Sequence, residues 1–464
     1  MRSTRSLTLV IASALFMESL DSTVIATSLS AIAADIHVDP ITLKLAFTAY
    51  YLALAIFIPI SGWCADRFGA KTVFRLAIAT FTLSSVGCAM AWDLPSLVAG
   101  RFCQGLGGAM MLPVGRLILL RVIPKSELVS AMAMLSIPAL FAPIMGPPVG
   151  GYITTYYHWR GIFWLNVPVG LLGLVLATWL VPQVKAEVMR PLDVRGFLMT
   201  ASGLCLTIFG FTLASGSFGN ARTAWIMVGC GVVLLALYVR HAARTEHPIL
   251  ELRLLRIVTF RTAMMGGLMF RLSVGAIPFL LPMMLQVGFG LSPFESGSLT
   301  FAAAAGALTM KLTAAPILRR FGFRRILTVN AVISSALLAA SALFTANTPH
   351  AIIVTVLLVA GFFRSLQFTS LNALGYADVD TDQMSRATSF VAVIQQLALS
   401  SGVAIAAMLL EAFRAADGRT VLLAGDFSRA FMVIGVIAVL SSLVFFRLAP
   451  DAGTEVSGHR PAPR

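Results

Sequence analysis

The sequence predicts an all-α membrane protein built from fourteen spanning helices. Three observations carry that expectation: an apolar composition, apolar runs of bilayer length, and lysines and arginines gathered between alternate runs. The chain has 464 residues, of which 58% are hydrophobic and 12% charged. A soluble domain carries roughly twice that charged share, and a single water-soluble core stops growing near about 250–300 residues. The net charge of +14 raises the thought of nucleic acid. The basic residues, however, sit in short clusters between apolar runs and form no separate basic domain, so no nucleic-acid partner is expected. Cys64, Cys88, Cys103, Cys205 and Cys230 lie in or at the ends of apolar runs, at no metal-ligand spacing. They read as small apolar helix residues, and neither a metal nor any other cofactor is expected.

A helix crossing a bilayer needs about 20 mostly apolar residues. Such runs fall at 7–32, 43–62, 73–92, 96–120, 128–153, 161–181 and 196–216. Seven more fall at 222–240, 262–286, 294–317, 326–345, 350–374, 387–411 and 428–447. The first run follows Arg2 and Arg5 and ends near Ala31-Ile32-Ala33, which invites a signal-peptide reading. It is too long for that, and it holds Glu18 and Asp21, so it is read as a retained span. The seventh and eighth runs are separated only by Ser215–Ala221, and the alternative count is twelve spans with one hairpin misread.

Orientation follows from the basic residues. With the N-terminus inside, cytoplasmic segments hold 23 of the 34 lysines and arginines and the opposite face holds 6. The other five, Arg101, Arg116, Arg271, Lys311 and Arg364, fall inside spans, while Lys44 counts among the loop charges of the opposite face and Glu411, near a span end, is expected to reach the interface. The bias predicts both termini in the cytoplasm of a bacterial inner membrane, and the net charge becomes a topology signal drawn to anionic lipid. The longest loop, about 240–261, alternates apolar and charged residues, which fits a short interfacial helix. The tail after Pro450 is polar and predicted to be disordered.

Several short motifs sit on or between these spans. Gly62, Asp66 and Gly69 lie near one helical face in the segment Gly62-Trp-Cys-Ala-Asp66-Arg67-Phe-Gly69-Ala-Lys71. The glycines suit close helix approach, and Asp66 suits a helix end or a basic partner; a plain charged anchor is the simpler reading. Gly146-Pro147-Pro148-Val149-Gly150-Gly151 lets the fifth span bend, and Gly146 and Gly150 make a close-packing face. Arg101 lies within the fourth span, one turn from Gln104. An intramembrane arginine is costly unless it is paired or wetted, and Asp21 is the obvious partner, with Glu18 on the same face. Gly105-Leu-Gly107-Gly108 reads as a packing face and not a phosphate loop. No metal cluster, Walker loop or nucleophile elbow is present, so no enzyme and no ATP-driven pump is expected.

Five stretches, in the right order along the chain and at the right spans, resemble the motifs of the major facilitator superfamily. Gly62–Lys71 is similar to its G-x-L-a-D-r-x-G-r-k loop, with Trp63-Cys64 and Ala70 as departures. Arg101-Phe-Cys-Gln104-Gly105 resembles its R-x-x-Q-G motif, and Gly146–Gly151 the G-P-x-x-G-G motif of its antiporters. Leu20-Asp21-Ser22-Thr23-Val24 and His158–Gly170, with Trp159, Arg160, Asn166 and Pro168, resemble two signatures of fourteen-span drug/proton antiporters, closest to MdtD-type bacterial inner-membrane transporters. The resemblance covers residues 7–448. It implies two six-helix bundles, at 1–182 and 246–449, with an inserted helix pair at 183–245 and the tail at 450–464. It also implies a gating role for Gly62, Asp66, Arg67, Gly69 and Lys71. Proton coupling is implied at Asp21 and Arg101, with Glu18 beside them as a departure from the pattern. An antiporter role is implied for Gly146, Pro147, Gly150 and Gly151, and the implied partners are protons, a small-molecule substrate and the bilayer, with the chain acting as a monomer.

The second half departs from a cation-drug pathway, which should be lined by acids and aromatics. Arg271 lies mid-span between Gly267 and Gly275, Arg364 shares a face with Gln367, and Lys311 sits in the tenth span. Together with Gln104 these are the substrate-binding candidates, and their charge suggests an anionic or carboxylate cargo. The simpler reading is that Arg271 and Lys311 pair with carbonyls or snorkel out. Export by proton antiport is the expected function. Proton-coupled import of an organic acid and efflux of cationic drugs are the alternatives.

Overall fold

The computed structural model describes residues 4–185, 191–214, 221–380 and 383–459. They are almost entirely helical. The N-terminal half contains α1 (Thr4–Val24), α2 (Lys44–Phe57), α3 (Ala70–Ala89), α4 (Leu94–Val122), α5 (Lys125–Tyr156) and α6 (Asn166–Leu180). Then come α7 (Val194–Ala214), α8 (Ala221–Ala242) and α9 (Val258–Met283). The stretch Pro293–Ala340 is broken at Gly322, where φ is +70°, and gives α10 before the break and α11 after it. The chain ends with α12 (His350–Tyr376), α13 (Met384–Ala416) and α14 (Ala424–Phe446).

Helices thus occupy all fourteen positions where the sequence predicts spans. Among the described residues, twelve segments are long and apolar enough to cross a membrane. The two beyond that count are α5 and α10, and both contain residues whose side chains are not described. Several helices extend past their core. Short turns, Ile25–Ser28 and Leu29–Asp35, prolong α1, and Ser61–Phe68 prolongs α2. Asp93 and Ser96 form a reciprocal cap at the start of α4, and Ser292 and Glu295 do the same for α10.

The first six helices pack as one bundle: α1 against α5 and α6, α4 between α2 and α3. Glycines make the α4 contacts possible. A Cβ at Gly105 would lie 2.5 Å from the Tyr50 carbonyl oxygen, and one at Gly107 would lie 2.8 Å from that of Ala77. Helices α9 to α14 form the second bundle, with α9 touching α12, α13 and α14. The pair α7 and α8 packs on itself and leans α7 on α2 and α13. Phe57, Phe197, Leu204 and Ile208 fill that seam. The link 215–220 lies outside the described residues.

The polar contacts between the bundles gather at one end, where odd helices finish and even helices begin. There Gln286 donates to the Thr27 carbonyl at 3.0 Å and Ser30 donates to Gln286. The Phe294 amide donates to Thr155 Oγ1 at 2.9 Å. Lys44 pairs with Glu411 at 3.4 Å, and Arg414 pairs with Asp39. Two expectations need correcting here. Lys44, read as a loop charge, is 1% exposed, and Glu411, read as reaching the interface, is 8% exposed, because each neutralises the other inside the contact. The loop at 240–261 holds a 3₁₀ turn, Leu252–Arg256, anchored by an ion pair between Glu251 and Arg386 at 3.2 Å. The tail predicted to be disordered is folded through His459. Thr454–Ser457 is a helical turn lying against the α10–α11 stretch, and Gly453 sits on Phe323. Residues 460–464 lie outside the described residues.

Candidate functional site

The first bundle holds a closed polar cluster in its apolar interior. Asp21 of α1 meets Arg101 of α4, with Arg101 Nη1 2.5 Å from Oδ2. Gln104 Nε2 donates to Asp21 Oδ1 at 2.9 Å, and Asn166 Nδ2, at the start of α6, donates to the same oxygen at 2.7 Å. Both amides also donate to Ser85 Oγ of α3, at 3.0 and 2.8 Å. Arg101 Nη1 further donates to Gln104 Oε1 at 2.6 Å, and its guanidinium lies 4.4 Å from the centre of the Tyr50 ring. Arg101 and Gln104 have no exposed surface, and Asp21 is 4% exposed. Burying two charges is costly, and only dense hydrogen bonding around the pair offsets it. Four helices supply that bonding here.

Beside this cluster Glu18 is half-buried, one turn before Asp21. It accepts a long hydrogen bond, 3.4 Å, from the hydroxyl of Tyr50, the ring that carries the Arg101 guanidinium. Protonating Asp21 would remove the charge that compensates Arg101. The guanidinium would then need another anion, and Glu18 is the nearest acid on that face. Sequence reasoning brought Asp21, Arg101 and Gln104 together but gave Asn166, Ser85 and Tyr50 no role. Asn166 had a signal, a single amide within an apolar run and inside the His158–Gly170 stretch. Ser85 and Tyr50 had none.

A cavity of about 270 Å³ lies between the bundles. Ser22, Thr23 and Thr27 of α1, Pro147 of α5, Pro278 of α9 and Arg364 of α12 are on its wall. A second, small cavity of about 30 Å³ continues into the second bundle and shares Val274, Ile277, Leu281, Ala303 and Arg364 with the first. Arg364 therefore stands where the two meet. Among the described residues no carboxylate pairs with it.

The other candidates of the second half separate. Arg271 has no exposed surface and lines neither cavity. Its Nη2 donates to Asn372 Oδ1 at 2.8 Å, its guanidinium lies 5.3 Å from the Phe368 ring centre, and among the described residues Nε and Nη1 have no hydrogen-bond partner. Gly267 does leave it room, with a would-be Cβ 2.9 Å from Nη1. Gly275 faces Leu399 of α13 instead. Gln367 lines neither cavity and is buried, bridging the Leu327 carbonyl and Asn330 Nδ2 at 3.1 and 2.8 Å. Gln104 belongs to the Asp21 cluster. Lys311 is exposed and donates to Thr369 Oγ1 at 2.9 Å.

The two motif loops differ in reach. Asp66 pairs with Arg121 at the end of α4 at 2.7 Å. Gly69, with φ +90°, turns the chain so that the Ala70 amide bonds the Val184 carbonyl at 2.9 Å. A side chain at Gly69 would collide with Gln183, whereas one at Gly62 would meet open space, so the close approach expected at Gly62 is not made in this conformation. Arg67 and Lys71 lie on either side of this turn. In α5, Gly146 and Gly150 face α1: Cβ atoms there would lie 2.0 Å from Thr23 Oγ1 and 2.5 Å from the Val24 carbonyl. Gly151 faces the other bundle, 2.4 Å from the Pro293 carbonyl by the same measure. The helix runs unbroken through Pro147 and Pro148.

Two helical bundles with a cavity between them and a buried ion network beside it define a membrane solute carrier. The profile described as Major Facilitator Superfamily matches residues 11–403 and again 263–464, and the chain belongs to that family. It is 35% identical, over 95% of each chain, to the "Probable transport protein HsrA" of Haemophilus influenzae. It is 34% identical to the "Putative multidrug resistance protein MdtD" of Cronobacter sakazakii, over 95% of this chain and 94% of that one. Among solved structures it resembles the "D-xylose-proton symporter", with TM-score 0.68 and 15% identity over 97% of this chain and 98% of that one. It also resembles a bacterial homologue of the human lysosomal transporter Spinster in an "inward-facing and unoccupied conformation", with TM-score 0.66 and 15% identity over the whole of both chains. These relatives are transporters, and the chain is an MdtD-type transporter and not an enzyme.

Proposed function

We propose that this carrier is a proton-coupled antiporter that exports small organic molecules, anionic or carboxylate compounds foremost, across a bacterial inner membrane. One observation carries the reading: the charge balance of the two sites. Asp21 sits in the first bundle with a full set of partners, so taking up or losing a proton there forces its network to rearrange. Arg364 stands in the cavity, and among the described residues no carboxylate pairs with it. A carboxylate cargo would supply the missing charge and accept hydrogen bonds from a planar fork of donors. With fourteen spans and both termini in the cytoplasm, the sealed end is the outer gate and the cavity serves the inner face. Rocking of the bundles about the midplane would then reverse access. The chain acts as a monomer in this reading, since each bundle finds its partner within the chain.

The test is flux in proteoliposomes with an imposed pH gradient, using a labelled aromatic carboxylate and a labelled lipophilic cation. Carboxylate export is expected to follow the gradient. Asp21→Asn is expected to lower gradient-driven flux by at least about 100-fold while leaving substrate binding, read by quenching of intrinsic fluorescence, within a few-fold. Arg364→Gln is expected to weaken carboxylate binding. Flux of the cation alone, untouched by Arg364→Gln, would establish the second reading, cationic drug efflux. That reading draws support from the relatives named as multidrug resistance proteins. Uptake of carboxylate with the gradient would make the protein a symporter.

A further inference from the structure

The corner between α10 and α11 carries a feature that the transport cycle does not use. Gly322 turns the chain, leaving Arg319 and Arg320 before it and Arg324 and Arg325 after it. A pocket of about 420 Å³ opens there, with Arg320, Arg324, Arg325, Phe321, Phe446 and His459 on its wall. The wall is built from three separate segments: the α10–α11 corner, the end of α14 and the tail. His459 bonds the Arg319 carbonyl through Nδ1 at 3.1 Å, and a side chain at Gly322 would strike its ring, so the tail closes one side. Among the described residues no carboxylate forms an ion pair with Arg320, Arg324 or Arg325, although Asp451 and Glu455 lie on the same tail. The arginines rest on rings instead: Arg320 and Arg325 over Phe321 at 5.5 and 5.7 Å, and Arg324 over Phe446 at 5.2 Å. Phe446 is 63% exposed at the last turn of a spanning helix.

Three uncompensated guanidinium groups converging on a pocket call for an anion with several oxygens. Apolar rings open to the bilayer at its rim call for a ligand that also has acyl chains. We propose that this pocket binds the phosphate headgroup of an anionic phospholipid, with the guanidinium groups on the phosphate and Phe446 against the acyl region. Occupancy would tie the tail and the end of α14 to the corner that joins α10 to α11. The proposal does not depend on which solute is carried.

The experiment is a thermal-stability titration of the full-length protein in detergent, with native mass spectrometry as a second readout. The added probes are phosphatidylglycerol, phosphatidylcholine, and soluble glycerol phosphate. Phosphatidylglycerol is expected to raise Tm and give a resolved bound species, and the other two are not. Combined Arg320→Gln and Arg325→Gln, both exposed positions, are expected to weaken phosphatidylglycerol binding by about 10-fold or more. Phe446→Ala is expected to weaken it less. Equal stabilisation of wild type and the double variant by phosphatidylglycerol would overturn the site. Equal stabilisation of wild type by glycerol phosphate would overturn the lipid and leave a free-phosphate pocket. Arg325→Gln alone serves as the measured variant should the double variant fail to fold, with a several-fold loss expected, and an unchanged affinity would count against the proposal.

Discussion

The two bundles bury arginine in opposite ways. In the first, Arg101 is paired with Asp21, shares Gln104 with it, and is covered by an aromatic ring. In the second, Arg271 is equally buried, yet among the described residues one amide oxygen is its whole hydrogen-bonding complement and two of its nitrogens are unbonded. An arginine sealed from water without an anion weakens the fold that holds it. The difference teaches that the first bundle gives Arg101 its counter-charge, leaving only Nε unbonded, whereas among the described residues no carboxylate pairs with Arg271 or Arg364 in the second. Related packing thus holds arginine in two ways: one bundle closes it into an ion pair, and the other leaves it with polar and aromatic neighbours only.

Replacing each buried arginine by methionine should break or sharpen that comparison most strongly. Arg101→Met strands Asp21 in an apolar interior, and removing one member of a buried pair costs about 3–5 kcal/mol. A large fall in Tm at neutral pH is expected, smaller when Asp21→Asn is added. Arg271→Met removes a charge that nothing compensates, and apolar replacement of buried charge is often stabilising by about 1–4 kcal/mol. A rise in Tm is expected there. A fall in Tm of similar size in both single variants, measured in one detergent, would show that Arg271 is as well satisfied as Arg101, and the asymmetry would be gone.

The next largest effect belongs to the sealed end, where the bundles meet. Gly151→Ala would set a methyl 2.4 Å from the Pro293 carbonyl oxygen, so α5 and α10 must part. Overpacking of this kind costs roughly 1–3 kcal/mol, here charged to one conformation only. Oxidative cross-linking of cysteines placed at Ser30 and Gln286, which are hydrogen-bonded across the gate, is expected to fall several-fold in Gly151→Ala. Gly146→Ala faces Thr23 within the first bundle, so it should destabilise without changing that yield. An equal drop in both would mean that the two glycines serve packing alone.

Much of this was legible in the sequence because a bilayer punishes ambiguity. Twenty-residue apolar runs, and charges confined to their ends, left little freedom in placing helices, and each lone charge inside a run announced a need for a partner. Asp21 and Arg101 could be paired on that argument. Asn166 and Ser85 could not be placed beside them, because uncharged amides and hydroxyls are tolerated in many places along a membrane helix. Lys44 and Glu411 were misjudged for a different reason: both stand near span ends, and only the contact between bundles buries them. Gln367 shares a helical face with Arg364, but the sequence gave no sign that Asn330 and the Leu327 carbonyl would engage it.

The smallest effect expected lies in the loop between α13 and α14, and it measures how much exposure alone weakens a charge pair. Asp417 accepts from Arg429 and Arg419, each at 2.5 Å, as part of a cluster centred on buried Asp426. Those hydrogen bonds, from Arg429 first and Arg419 second, hold its carboxyl down at about 2, below the ordinary 3.8. A depressed carboxylate stabilises the folded state above its unfolded pKa and loses that contribution as pH falls through its folded pKa. Asp417→Asn should therefore lower Tm slightly at neutral pH, and the gap from wild type should close as pH falls from about 4 toward 2. Both partners are reached by water and salt, so the shift should also shrink in high salt. Arg101→Met should show no such salt dependence, because its pair is sealed. A salt-insensitive Asp417→Asn effect as large as that of Arg101→Met would mean that this loop cluster, and not burial within the first bundle, sets how strongly this protein depends on its charges.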